Sequence, residues 1–174
     1  SYVAQIGSTG SGDDQFSNIG TVTSDDTYLY ITDCDNDRVV KRLKSDLSFV
    51  AKIGSLGSGN DQFDYPLGIT CDNDYIYVAD YIGNRVVKID KALQGAGGGG
   101  TWEAYATYGP SETAFEYPYG VDCDGDYLYI SERSDAGYNI RKFLKTDFST
   151  VLGTVNNSSF LFQGITHDDT YVYT

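Results

Sequence analysis

Methionine is absent from all 174 residues, position 1 included, so translation is expected to begin upstream of Ser1. Histidine is nearly absent, with His167 standing alone. A catalytic zinc takes about three protein ligands, several of them usually imidazoles, so zinc chemistry is disfavoured, and any Ser-His-Asp arrangement would have to use His167. Basic residues are scarce: 12 Lys and Arg face 25 Asp and Glu, for a formal net charge of −13 and a pI near 4.2. Nucleic-acid affinity rests on cations that neutralise phosphates, so no nucleic-acid partner is expected. No apolar run approaches the ~20 residues of a membrane-spanning helix, and no membrane insertion is expected. Apolar residues at a 3.6-residue period are missing too, so helix content should be near nil.

A repeat fills the chain instead. Asp25, Asp72, Asp124 and Asp168 fall in register at spacings of 47, 52 and 44, and each is followed by a tyrosine pair: Tyr28/Tyr30, Tyr75/Tyr77, Tyr127/Tyr129 and Tyr171/Tyr173. Phe16, Phe63 and Phe115 stand in one further column; Gly68, Gly120 and Gly164 stand in another, and VAQIG at 3–7 restates VAKIG at 50–54. Periods of ~40–50 residues mark solenoids or propellers. Unit two divides into LGITC at 67–71, YIYVA at 75–79, RVVKID at 85–90 and, past the flexible glycine run GAGGGG at 95–100, TWEAYATY at 101–108. These runs are β-branched and aromatic and are separated by Asp, Asn and Gly, which predicts four short strands per unit and hence an all-β propeller of four-stranded blades. The expected units are about 1–7 (the outer strand, 2–6, of a preceding blade), 19–54, 67–108, 119–153 and an incomplete 163–174, one domain of about three and a half blades.

Pro66, Gly68, Asp72, Tyr77, Asp80, Asn84, Arg85 and Val86 carry the pattern by which unit two resembles the NHL repeat, a β-propeller family. Unit one has Thr21 in place of the glycine and lacks the proline, unit three has Glu132 in place of Asp80 and two extra residues before Ile140, and unit four runs only to Thr174. The resemblance implies a ring of about six blades. It implies no single activity, because such propellers include lyases, RNA binders and adhesion modules.

The Asp pairs at the hairpins read as turn chemistry, since Asp bonds its own backbone and tolerates left-handed dihedrals. Asp33, Asp35 and Asp37 alternate like the opening of a calcium loop and are the candidate Ca2+ ligands, although Arg38 replaces the glycine such a loop needs and no closing Glu follows. The other reading makes Asp33/Arg38 and Asp80/Arg85 repeated ion pairs between neighbouring blades, with no arginine counterpart for Glu132. The three phenylalanines are expected to plug gaps between blades. Cys71 and Cys123 share a column at the end of the innermost strand, too far apart in neighbouring blades for a disulfide, so they and Cys34 should be free thiols.

In a propeller, the loops between blades and those between second and third strands share one face. Here that face should gather Gln15, Gln62, Tyr65, Tyr81, Tyr117, Tyr119, Arg133 and Tyr138, and tyrosine joins a flat apolar ring to a polar tip. The expected function is a non-catalytic binding and scaffold module that presents this acidic, tyrosine-rich face to a protein or carbohydrate. The Lys-poor composition, rich in Tyr, Ser, Thr, Gly and Asp, favours an extracellular or cell-surface setting. The alternatives are a metal-dependent hydrolase or lyase propeller with its site in the central channel, and a repeating structural subunit that associates with itself through open strand edges.

Overall fold

The computed structural model describes residues 4–91, 115–135, 137–146, 150–157, 164–168 and 170–174. Strands β1 (Ile19–Ser24), β2 (Tyr28–Asp33), β3 (Arg38–Leu43) and β4 (Phe49–Ile53) form the first sheet in chain order. The second contains β5 (Pro66–Cys71), β6 (Tyr75–Asp80) and β7 (Arg85–Asp90); the third β8 (Pro118–Cys123), β9 (Tyr127–Ser134), β10 (Gly137–Leu144) and β11 (Gly153–Asn157); the fourth β12 (Thr166–His167) and β13 (Val172–Tyr173). Within each sheet, neighbours along the chain pair antiparallel. Among the described residues the one helical piece is a 3-10 turn at Cys34–Asn36. The expectation of an all-β chain of antiparallel blades therefore holds.

Three boundaries need comment. The expected outer strand 101–108 and the glycine run 95–100 lie outside the described residues. The third sheet's outer strand runs Gly153–Asn157, starting where the expected unit ended. Of the expected opening strand, 2–6, the described residues 4–6 join no ladder. An outer strand pairs only with the third strand of its own blade, and none lies beside them.

Each hairpin is held by one aspartate. Asp25 Oδ1 accepts the Thr27 and Tyr28 N–H at 2.9 and 2.8 Å while its Oδ2 accepts the Tyr30 hydroxyl at 2.8 Å. Asp72, Asp124 and Asp168 repeat this with Tyr77, Tyr129 and Tyr173 at 2.9, 2.7 and 2.6 Å. In the first three units the preceding tyrosine of the pair carries a lysine over its ring face: Lys41, Lys88 and Lys142 Nζ lie 3.8, 3.8 and 3.6 Å from the centroids of Tyr28, Tyr75 and Tyr127. Such contacts let a half-buried ammonium exchange water for the negative face of a ring.

The core lies between sheets. Tyr30, Val39 and Ile53 of the first sheet pack with Phe63, Ile69, Ile76, Val78, Val87 and Ile89 of the second and its entering loop. Tyr77, Ala79 and Val86 pack in turn with Phe115, Val121, Leu128, Ile130 and Phe143. Phe63 and Phe115 are 0% and 2% exposed and fill the gap between blades, as expected of them. Lysines cross the same joints: Lys91 reaches Asp25 at 3.0 Å and Lys145 reaches Asp72 at 2.8 Å. Innermost strands approach closely enough that a Cβ on Gly68 would lie 2.4 Å from the Tyr119 carbonyl oxygen, which explains the glycine. Thr21, in the same column, uses its hydroxyl across the equivalent joint, donating to the Leu67 carbonyl at 2.9 Å and accepting the Ile69 N–H at 3.0 Å.

Candidate binding surface

The end of each blade away from the aspartate hairpin is built on left-handed backbone. Asn18, Tyr65 and Tyr117, one column, have φ of 65°, 62° and 46°, and Asp37 and Asn84, another, have 50° and 52°. The two columns clasp across the blade joint: Asp37 Oδ1 accepts the Tyr65 N–H at 3.0 Å, and Asn84 Oδ1 accepts the Tyr117 N–H at 2.8 Å. On the other side, Tyr81 and Arg133 N–H donate to the Tyr65 and Tyr117 carbonyls, each at 3.2 Å. Backbone bonds on both sides thus hold two tyrosines in a conformation that bulky side chains avoid.

Their rings meet. Tyr65 and Tyr81 have centroids 6.1 Å apart, Tyr81 and Tyr117 5.2 Å, and Tyr81 and Tyr119 4.8 Å edge to face. These are ordinary aromatic pair distances. Asn18 Nδ2 donates to the Tyr65 hydroxyl at 2.6 Å and extends the strip towards the first blade. A hydrogen bond with Tyr81 and then burial push the Tyr119 hydroxyl up to about 12, while the exposed Arg133 acts in the opposite sense. Tyr138 adds to the upward push. Four of the eight residues expected on the face thus form one aromatic strip, on which Arg133 and Tyr138 act electrostatically.

The two glutamines are employed elsewhere. Gln15 Oε1 accepts the Gly12 N–H at 3.0 Å and Gln62 Oε1 accepts the Gly59 N–H at 2.9 Å, each closing its own glycine-rich loop. Gly10 and Gly57, at φ of 149° and 154°, pass so close to these side chains that a Cβ would lie 2.3 Å from the amide oxygen.

The three carboxylates considered for calcium are not gathered. Asp33, fully buried, accepts Arg38 Nε at 2.8 Å, Asn36 Nδ2 at 2.9 Å and the Ser17 N–H at 2.7 Å. Asp35 accepts from the Ser17 hydroxyl and from Asn18, and Asp37 holds Tyr65. Among the described residues no three His, Cys, Asp or Glu side chains are grouped to hold a metal ion.

The ion pairs also differ from expectation. Arg38 and Arg85 join their blade to the loop that enters it: Arg38 donates to the Ser11, Gly12 and Gln15 carbonyls, and Arg85 to those of Ser58, Gly59 and Gln62. The stitches between blades are the lysine pairs described above. Glu132 does have an arginine, Arg141, two residues further along its strand than the register partner Asn139. The longer glutamate meets the displaced guanidinium, a compensation that a fixed-column alignment hides. The three cysteines are free. Burial pushes the Cys34 and Cys123 thiols up to about 12 and 11, which keeps them protonated at neutral pH.

A second polar group lies on the inner strands. His167 Nδ1 is 2.7 Å from Asp122 Oδ2, and the Thr70 hydroxyl donates to Asp122 Oδ1 at 3.3 Å. Tyr129 stacks on the imidazole at 6.0 Å. Sequence reasoning placed His167 on an inner strand but missed Asp122, whose column holds threonine in the other units. That break in the column was the available signal.

No family model matches this sequence, and no curated protein matches it. Solved structures do. Hydrazine synthase of Kuenenia stuttgartiensis superposes with a TM-score of 0.61 at 13% identity, over 83% of this chain and 37% of that one. A provisionally assigned 6-phosphogluconolactonase of Bacteroides uniformis gives 0.61 at 17% identity, over 88% and 46%. A protein of the same provisional assignment from Bacteroides fragilis gives 0.50 at 19%, over 80% and 42%. The fold is a β-propeller. The chain spans less than half the length of each of these neighbours, and at such identities the likeness concerns fold alone.

Proposed function

We propose that this propeller is a non-catalytic binding and scaffold module whose tyrosine rim takes a protein loop or a carbohydrate. One observation carries the reading: Tyr65 and Tyr117 occupy left-handed positions that cost a bulky residue about 1–3 kcal/mol each, and their rings converge on Tyr81 and Tyr119. Strain of that kind concentrates where a side chain is wanted for something other than folding. Aromatic rings with polar tips, one arginine at the margin and rigid backbone beneath suit a partner with flat apolar patches and hydroxyl or amide groups. The net charge of −13 argues against nucleic acid, and the Lys-poor composition, rich in Tyr, Ser, Thr, Gly and Asp, favours an extracellular or cell-surface setting for an NHL-type propeller. Immobilised oligosaccharides and synthetic peptides, titrated with the wild type and with Tyr81→Ala, provide the test. Affinity should fall about thirtyfold or more in the variant, with thermal unfolding little changed. Equal binding by both proteins would sink the proposal.

A second reading rests on the Asp122–His167 pair. A carboxylate that accepts the imidazole Nδ1–H leaves Nε2 as a base, as in hydrolases. A hydrolase or lyase at the channel would lose its activity on a lactone panel in His167→Gln, while the tyrosine variants would keep it.

A further inference from the structure

With Asn18 at one end, the tyrosine strip crosses the joints between the first and second sheets and between the second and third, and both blades of each joint are present. Its rings do not share a plane: Tyr81 is inclined by 58° to Tyr65, 44° to Tyr117 and 64° to Tyr119. A sugar chain stacks its flat faces on rings that lie level with one another. The amide side chains that would bond its hydroxyls, Gln15 and Gln62, are spent on their own loops. Inclined rings leave notches between them, and Ile82, the residue after Tyr81, is 47% exposed and adds apolar surface.

Notches of this kind suit a polyproline II segment. Such a helix makes no internal hydrogen bonds, so its pyrrolidine rings can enter aromatic grooves while its carbonyls look outward for donors. The centroids of Tyr65, Tyr81 and Tyr117 follow one another at 6.1 and 5.2 Å. At a rise of ~3.1 Å per residue, Tyr65 and Tyr117 lie within about four residues of it, little more than one turn. The Tyr65 hydroxyl accepts Asn18 Nδ2 at 2.6 Å and donates to no group among the described residues, so its hydrogen can serve a peptide carbonyl.

Charge selects what flanks the prolines. Asp64 and Glu116 stand directly before Tyr65 and Tyr117, Asp35 accepts from Asn18 Nδ2 at 3.3 Å, and Glu116 Oε2 accepts the Asp135 N–H at 3.0 Å. Over the described loops of this face, 7–18, 34–37, 54–65, 81–84, 115–117 and 133–135, eight carboxylates meet one cation, Arg133. An acidic margin around aromatic notches complements a basic partner. We infer that the strip takes a proline-rich segment of another protein in the polyproline II conformation, with arginine or lysine beside its prolines. The choice of partner rests on the tyrosine rim being the binding surface, as proposed above.

Calorimetric titration with three capped nine-residue peptides tests this: one repeating Pro-Pro-Arg, one with Glu in place of Arg, and one with Gly in place of Pro. The first should bind, and the other two at least about tenfold more weakly, because one loses the charge match and the other the preformed helix. Tyr81→Ala should weaken the first peptide about thirtyfold or more. Glu116→Gln alters an exposed residue and keeps an acceptor for Asp135, so it should keep the fold, weaken binding about threefold and reduce its dependence on salt. Thermal unfolding checks both variants. No binding of the first peptide up to about 1 mM, or equal binding of its glycine counterpart, would overturn the inference. An oligosaccharide that binds in its place and is lost in Tyr81→Ala would overturn it too, while leaving the tyrosine rim as the binding surface. Peptide binding untouched by Tyr81→Ala would overturn both.

Discussion

The two ends of a blade obey different rules. At the hairpin end the side chains repeat with the backbone: four aspartates take four tyrosine hydroxyls at 2.6–2.9 Å, each turn tied by the same carboxylate. At the loop end the backbone and the buried clasp repeat, but the side chains of the left-handed column do not. The left-handed column reads Asn18, Tyr65, Tyr117, and the residue that donates to its carbonyl reads Cys34, Tyr81, Arg133. Asn18 shows that the loop forms without a tyrosine, and asparagine suits that conformation better. What every blade keeps is what packing demands; what single blades change is open to selection for binding.

The largest effect that probes this contrast lies in the buried clasp. Asp80 is fully buried, accepting Arg85 Nε and the Asp64 N–H, both at 2.7 Å. Asp80→Ala would leave a guanidinium buried without its charge partner, and urea unfolding should show a loss of about 3–5 kcal/mol. A loss below ~1 kcal/mol would mean that the loop carbonyls alone satisfy Arg85, and that this clasp does not hold the loop end in place.

At the hairpin end the expected effect is smaller and depends on pH. Burial disfavours the Asp72 carboxylate, but hydrogen bonds from Lys145, the Tyr75 and Asp74 N–H groups and the Tyr77 hydroxyl outweigh it and hold its pKa below the ordinary 3.8. Asp25, Asp124 and Asp168 are lowered too. A pKa depressed by folding contributes stability that is complete above the unfolded value and is lost as pH falls through the folded one. These four aspartates should therefore add no slope from pH 7 to about 5 and lower the melting temperature below about pH 4. Asp80, whose carboxyl burial pushes up to about 6, has the opposite sign and should raise it slightly as pH falls through that value. Asp72→Asn, which keeps the turn but loses the charge at the joint, should cost about 1–2 kcal/mol at pH 7 and flatten the acid limb. An unaltered acid limb would detach these carboxylates from stability. Phenols have the opposite sign: Tyr119 and Tyr129, both pushed up to about 12, stabilise below pH 10 and lose that contribution as pH rises towards 12. Absorbance at alkaline pH should show a group of late-titrating tyrosines.

The hairpin end was legible in the sequence because its rules are local. An aspartate bonding its own turn and a tyrosine five residues on keep their spacing in every unit, and the β-branched and aromatic runs between Asp, Asn and Gly clusters placed the strands. The tyrosine strip was legible in part, since the loops between blades and between second and third strands must share a face. That Tyr65 and Tyr117 are left-handed, and that Gln15 and Gln62 turn inward, depends on neighbouring backbone that no spacing encodes. Arg141 escaped because the arginine column, even after the two-residue insertion, falls on Asn139, and only the register of β9 against β10 shows the arginine two places further on reaching Glu132. Asp122 escaped because its partner comes from the next blade, 45 residues on.

The smallest effect tests the contrast most directly. Tyr117 is 43% exposed at φ 46°, with its ring 5.2 Å from that of Tyr81. Tyr117→Asn gives up part of a half-exposed ring contact and gains a residue that adopts the left-handed region at lower cost, as Asn18 does. Relief of that strain is on the order of 1–2 kcal/mol, and the lost contact returns much of it, so a net gain of about 0.5–1 kcal/mol should appear in the urea midpoint. Binding should fall in the same variant. A protein that is stabilised while its affinity drops would show the ring is kept at the expense of folding. A destabilisation above ~1 kcal/mol would instead make Tyr117 a packing residue, and the two ends of the blade would then follow one rule.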